Sequence, residues 1–450
     1  MLTRLKNVDT IVTCDGIDSV LHNVDLWFEN GRIERIGPWD RNPDAEYDCS
    51  DMIVYPGLIN VHHHLYQYFT RNLAKVQNYA LFDWLKALYG VWKNLNEKTV
   101  LLSSCAGMAE LMRYGCTTCF DHHYVFPNGS GDLLAAQFEA ASVLGIRMHA
   151  SRGSMDLSEK DGGLPPDSVV QSVDEILKDC ENAVARFHDP KPFSMRQVVL
   201  APCSPFSASA DLYRESAVLA RKLGVRLHTH LCETKDEEAF TLSAFGLRPF
   251  DYMDSLGWTG EDVFYAHGIH FNDAELDMIA KSGTKIAHCP VSNMKLNSGV
   301  MRLPDMLERK IDVGLAVDGS ASNDGSNLMD EMRATYLVHR LTWGDRAPGG
   351  YRILKLATAG SARVLGRTDL GSIETGKAAD FFAIKKDRSD LLCAIDDPLN
   401  LFGTVGYHRP CDMVFVNGEL TVLDGKLTNV DEEALSIISR NELKRFLYVL

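Results

Sequence analysis

The residues with the clearest capacity for chemistry are five histidines and two carboxylates at the ends of apolar runs. His62, His63 and His64 close the run LINVHHH. On a strand, residues two apart share a face, so His62 and His64 project together and His63 turns away. Two adjacent imidazoles can hold one ion, and neutral imidazole suits Zn²⁺ as well as Fe²⁺ or Ni²⁺. A second H-x-H, His228 and His230, ends the run RLHTHL, with Glu233 three residues further on. Parity gives His228 and His230 the same face and does not separate them, although His230 lies nearer the strand end. Asp318 stands between the apolar GLAV and Gly319, where a carboxylate can complete the shell of an ion. Three histidines and one aspartate leave room for a water, as a catalytic site requires and a closed structural site does not.

Eight short apolar segments are positioned to carry these residues: LINVHH, TTCFDHH, IRMHAS, RQVVLAP, RLHTHL, VFYAHG, TKIAHCP and DVGLAVDG. Helical runs such as DLLAAQFEAASVLG, DLYRESAVLARKLG and DAELDMIAKSG separate them and end in Gly, the residue a helix C-terminus prefers. Eight strand–helix units predict an α/β fold, a (β/α)₈ TIM barrel over residues 56–365. His62, His64, His122, Ser151, His230, His267, His288 and Asp318 all follow an apolar run and precede a loop. That is the C-terminal edge of the strands, where such barrels carry their chemistry. Residues 1–55 and 366–450 read as short strands broken by DG, NG and Asn/Pro turns. The two ends are expected to form one small β-sandwich domain, with EEALSIISRNELKRFLYVL as a terminal amphipathic helix that caps the barrel or meets a neighbouring subunit.

Composition narrows the partners. With 61 acidic against 46 basic side chains the formal charge is −15, so nucleic acid and anionic membrane surfaces are not expected partners. No apolar stretch approaches about 18 residues, and MLTRLKNVDTIVTCDG lacks an apolar signal region, so a cytoplasmic location is expected. The eleven cysteines show no disulfide-framework spacing and are expected to stay reduced. Cys116 and Cys119 form a C-x-x-C, but three residues apart on a strand they face opposite ways and read as core thiols. Composition fixes no oligomeric state, so a homo-oligomer is neither required nor excluded.

The segments PGLINVHHHLYQ, LHTHLCET, YAHGIHF, HCPVSNMKL and VDGSASNDGSN occur in this order along the chain. Together they resemble the aminohydrolase (deaminase) branch of the amidohydrolase superfamily. The resemblance implies one divalent metal per chain, Zn²⁺ first and Fe²⁺ also compatible, held by His62, His64, His230 and Asp318. It implies a catalytic set of Glu233 as proton shuttle, His267 orienting the attacking water, and Asp318. Two-metal members of the superfamily place a carboxylated lysine at the end of the fourth strand; VVLAPCSPFS has none, which implies a single ion. Cys203 in that segment reads as a core or supporting residue.

The loop segments VQNYALFDWL, DHHYVFP, SRGSM, GGLPPDSVVQ and LAPCSPFS are most similar to members acting on 8-oxoguanine. The implied reaction is hydrolytic deamination of an amino-substituted N-heterocycle, 8-oxoguanine to uric acid and ammonia, by water activated on the ion. The alternatives are isoxanthopterin, another pterin, purine or pyrimidine, and an s-triazine. Side-chain chemistry suits a small planar substrate. Gln67 can pair with a carbonyl and a ring N–H, Trp84 and Tyr124 offer aromatic faces, and Arg152 offers a donor to a keto oxygen. His122 and His123 are expected to support the ligands by hydrogen bonding, and His288 and Asn293 to anchor the loops beside them.

Overall fold

The computed structural model describes residues 1–448; Val449 and Leu450, the last of the expected terminal helix, lie outside the described residues. Eight strands form one parallel sheet with neighbours in chain order. They are β1 (Leu58–Asn60), β2 (Cys116–Asp121), β3 (Arg147–Ser154), β4 (Arg196–Pro202), β5 (Arg226–Leu231), β6 (Val263–His267), β7 (Lys285–His288) and β8 (Val313–Leu315). The strands are buried almost throughout, because helices cover one face and the barrel interior the other. The interior is filled by side chains such as Ile59, Val61, Phe120, Val199 and Phe264.

Closure falls at the functional edge. The amide of Val61 donates to Leu315 O at 3.4 Å and that of Asp318 to His62 O at 3.1 Å. Beyond β1 and β8, Asp318–Gly319 pairs in parallel with His63–His64. The two segments that carry most of the candidate ligands are therefore hydrogen-bonded to each other. Intervening helices begin at side-chain caps, Asn96, Asp132, Ser209 and Asn272, each accepting a backbone N–H. Three of them stop at left-handed Gly145, Gly224 and Gly283.

The two ends of the chain meet chiefly through the antiparallel pairing of Met52–Pro56 with Phe381–Lys385, with a further antiparallel bridge between Arg32 and Ala378. That pairing joins five N-terminal and four C-terminal strands into a nine-stranded mixed sheet. The sandwich expected from sequence is thus one continuous sheet folded on itself. Phe28 from the N-terminal half packs 5.2 Å from Phe381 and 5.3 Å from Phe415. Within the N-terminal part, Ala45–Asp48 pairs in parallel with Leu2–Val12.

The terminal helix Glu432–Tyr448 runs along Glu97–Arg113 on the side of the barrel, with Phe446 buried in the same cluster as Trp92. After His64 the chain makes a 3₁₀ turn, Leu65–Thr70, and then the helix Leu81–Trp92, which roofs the mouth. Among the described residues no helix is long and apolar enough to cross a membrane.

Candidate metal centre and active site

Three imidazoles converge on one point, two of them with their tautomers fixed from behind. His64 Nδ1 donates to His122 O at 2.7 Å, and His230 Nδ1 donates to Cys203 O at 2.6 Å. A carbonyl only accepts, so each ring carries its hydrogen on Nδ1 and presents a bare Nε2. Those two Nε2 atoms lie 3.1 Å apart. Neither has a hydrogen to share, and two lone pairs at that distance repel. His62 Nε2 is buried with no hydrogen-bond partner. Oδ1 of Asp318 stands 3.3 Å from Nε2 of both His62 and His64.

A cation reconciles this arrangement. A tetrahedral zinc with ligands at about 2.0–2.1 Å has ligand–ligand edges of roughly 3.3 Å, and the three distances just given match. The residues present therefore fit a divalent metal. Burial holds the imidazoles of His62, His64 and His230 below their ordinary pKa, which keeps their lone pairs available. For Asp318 burial pushes upward, but the imidazoles of His62, His267 and His64 around it prevail and hold it well below the carboxylate range. Ser292 Oγ and the Gly319 amide donate to Asp318 at 2.5 and 2.6 Å and fix its rotamer.

Glu233 and His267 face this cluster. Glu233 Oε2 lies 3.5 Å from His267 Nε2, and Ser298 Oγ donates to Oε1 at 3.3 Å. Burial raises the Glu233 carboxyl above its ordinary value, with Asp318 adding to the rise and His267 opposing it. His267 donates from Nδ1 to Asn293 Oδ1 at 2.9 Å, which points Nε2 inward. Burial alone would lower its pKa, but the carboxylates of Glu233 and Asp318 outweigh burial and raise it. His267 and Asp318 are both non-glycine residues with left-handed backbone, φ 73° and 63°. Strain of this kind costs of order 1–3 kcal/mol per residue and gathers where a side chain must be aimed.

The cavity above the cluster is walled by Trp84, Tyr124, Phe206 and Leu296 and roofed by Leu81 and Leu85. Gln67 and Trp84 both line it, and the Gln67 carboxamide oxygen and the Trp84 indole N–H are buried without partners. Arg152 does not line it, which corrects the expected substrate contact. Its guanidinium reaches outward to Asp179 at 2.5 Å and Gln171 at 2.6 Å and stacks over Phe126. On β3 the residues alternate, so with Ser151 on the inner face Arg152 must point to the surrounding helices.

His122 lies among the ligand nitrogens, but its Nε2 donates to Ala201 O at 2.9 Å and its ring stacks on His230 at 4.7 Å. His123 turns away to Val125 O. His63 bonds Ser326 Oγ, outside the cluster. His288 pairs with His339 at 3.1 Å rather than with the centre.

A model of the amidohydrolase family matches residues 53–421. This chain belongs to the amidohydrolase family. The 8-oxoguanine deaminase of Pseudomonas aeruginosa is 43% identical over 96% of this chain and 96% of its own length. Hydroxydechloroatrazine ethylaminohydrolase of Pseudomonas sp. strain ADP is 39% identical over 97% of this chain and 94% of its own. Atrazine chlorohydrolase of Arthrobacter aurescens TC1, solved with zinc, superposes with a TM-score of 0.94 at 30% identity, covering 98% and 100% of the two chains.

This amidohydrolase also uses residues that the sequence did not single out. Glu237 is buried and accepts the amides of Cys232 at 3.0 Å and Glu233 at 2.8 Å, fixing the turn that carries Glu233. Burial pushes its carboxyl up to about 7, with the two amides pulling the other way. Gly319 leaves room for Gln67, since a Cβ there would collide with the Gln67 carboxamide. The run of acidic residues after Glu233 and the DG pair were visible signals, but neither says where a side chain ends.

Proposed function

We propose that this amidohydrolase deaminates 8-oxoguanine to uric acid and ammonia, using one divalent ion held by His62, His64, His230 and Asp318. Zn²⁺ is the first choice for that ion and Fe²⁺ is compatible. The observation that carries the reading is the convergence of the Nε2 atoms of His62, His64 and His230 and one carboxylate opposite Glu233 and His267. When bound, the ion lowers the pKa of water from 15.7 toward about 7. Glu233, buried and raised in pKa, is placed to take a proton from the attacking water and hand it to the ring nitrogen beside the reacting carbon. His267 Nε2 and Asp318 orient that water and hold the proton in transit. At C2 the bond to oxygen forms, the bond to the exocyclic amine breaks, and ammonia leaves.

The cavity supports a neutral free base. Neither Lys nor Arg lines it, so away from the ion a phosphate or carboxylate would find no cationic side chain. Its volume is about 30 Å³, room for a few waters at roughly 10–15 Å³ each. The cavity as it stands is therefore too small for a bicyclic base, and the residues around it must rearrange to admit one. The unpartnered Gln67 oxygen and Trp84 N–H match the N–H and C=O of a lactam edge. Isoxanthopterin shares such an edge and is the second reading, supported by a 32% identical isoxanthopterin deaminase. We place the enzyme in the cytosol, where eleven free cysteines, ten of them buried, stay reduced.

Steady-state ammonia release on 8-oxoguanine, isoxanthopterin, guanine and a hydroxy-s-triazine tests the substrate. The highest kcat/KM is expected for 8-oxoguanine; a higher value on isoxanthopterin or the triazine would move the assignment there. Zinc-loaded protein that releases ammonia from none of them would sink the deaminase reading. Gly319→Ala should displace Gln67 and raise KM for the preferred base about tenfold, the loss of one hydrogen bond of about 1–1.5 kcal/mol, with zinc content unchanged. An unaltered KM would remove Gln67 from substrate recognition.

A further inference from the structure

We propose that His228 is a positioning residue of the metal centre, accepting the Nδ1–H of His62 on its Nε2 while its own Nδ1–H donates to the carbonyl of Phe264, and so keeping His62 Nε2 free as a ligand. The inference rests on the ligand set proposed above.

His64 and His230 are fixed directly by backbone carbonyls, as described. His62 has no carbonyl in that place. Its Nδ1 lies 2.9 Å from Nε2 of His228, and His228 Nδ1 lies 2.9 Å from Phe264 O. The direction of the chain follows from its end. Phe264 O can only accept, so His228 carries its hydrogen on Nδ1. The Nε2 of that neutral ring can then only accept, so His62 donates from Nδ1 and its lone pair falls on Nε2. One carbonyl on β6 thus sets the tautomer of a residue that follows β1.

The relay has a geometric cause. β1 and β5 stand on opposite sides of the eight-stranded barrel, so the side chains of His62 and His228 meet across its interior. His228 is fully buried and held between Phe264 and Phe120, with ring centroids 4.2 and 4.8 Å away. Both its nitrogens are engaged, so it is not a further ligand. As a mere filler it would be a poor choice, since an apolar side chain fills the same space without two polar atoms to satisfy. Without an acceptor behind it, His62 is free to carry its hydrogen on Nε2 and donate to Asp318 Oδ1, 3.3 Å away. That tautomer cannot bind an ion.

Zinc affinity of the wild type, His228→Leu and His228→Gln, measured by competition with a chromogenic chelator, tests this without reference to turnover. Thermal unfolding of the metal-free proteins is measured alongside. His228→Leu should bind zinc about 10–100-fold more weakly, as loss of a partner behind a ligand does. His228→Gln should recover most of that affinity, because its oxygen accepts from His62 and its N–H₂ donates to Phe264 O. If His228→Leu does not fold, His228→Phe makes the same comparison with an aromatic ring. Zinc binding equal to wild type in the apolar variant, or equal losses in the apolar and Gln variants, would overturn the relay. A wild type that binds no zinc would instead overturn the ligand set, and the relay with it.

Discussion

Glu233→Gln is expected to lower kcat by at least about 10²-fold, the lower end of what a positioned acid–base group contributes, while one zinc per chain is retained. Glutamine keeps the size of the side chain and its acceptor for Ser298 Oγ. It cannot take a proton from water or return one to a ring nitrogen. Glu233 is not part of the cluster of bare nitrogens, so the ion's shell should be untouched. Zinc analysis and steady-state kinetics on the same preparation separate the two roles. Near-normal turnover with zinc present would remove Glu233 from the chemistry. Loss of zinc together with activity would make it a ligand.

His230→Ala should have the opposite signature: zinc lost first, and activity with it. His230 Nε2 lies 3.1 Å from that of His64, and its ring is fixed by Cys203 O and stacked on His122. Removing it deletes one of the four donors, so the loss in affinity should exceed the roughly 10–100-fold that removing a supporting partner costs. Stability reports the same event. A site filled at 100 times its Kd adds about 2.7 kcal/mol to the folded state, so the wild type should gain Tm on adding zinc and His230→Ala should not. His63→Gln is the matched control. His63 sits between two proposed ligands in sequence, yet its Nε2 bonds Ser326 Oγ outside the cluster, so this variant should keep the zinc-dependent gain. A gain in His230→Ala equal to wild type would strike His230 from the set.

The parts of this picture that sequence conveyed are those that depend on periodicity. Strand alternation separates His63 from His62 and His64, and the structure turns His63 away as that rule requires. The eight apolar runs announce the barrel because each must be buried on both faces. Parity assigns a face and not a depth, which is why His228 and His230 were indistinguishable. One reaches the mouth, the other crosses the interior one layer below. Arg152 shows the rule neglected: with Ser151 on the inner face, its neighbour had to face Asp179. Glu237 was beyond such rules, and so was the bond to His267 made by Asn293, which was expected as a loop anchor. Their roles depend on where turns with left-handed residues at Cys232 and His267 aim two amides and one imidazole.

The most direct test is to titrate metal-free protein with Zn²⁺ and follow ammonia release from 8-oxoguanine against bound zinc measured by elemental analysis. The account predicts no release without metal, a linear rise with occupancy, and a break at one zinc per chain. Release from metal-free protein, or a break at two zinc ions, would contradict it.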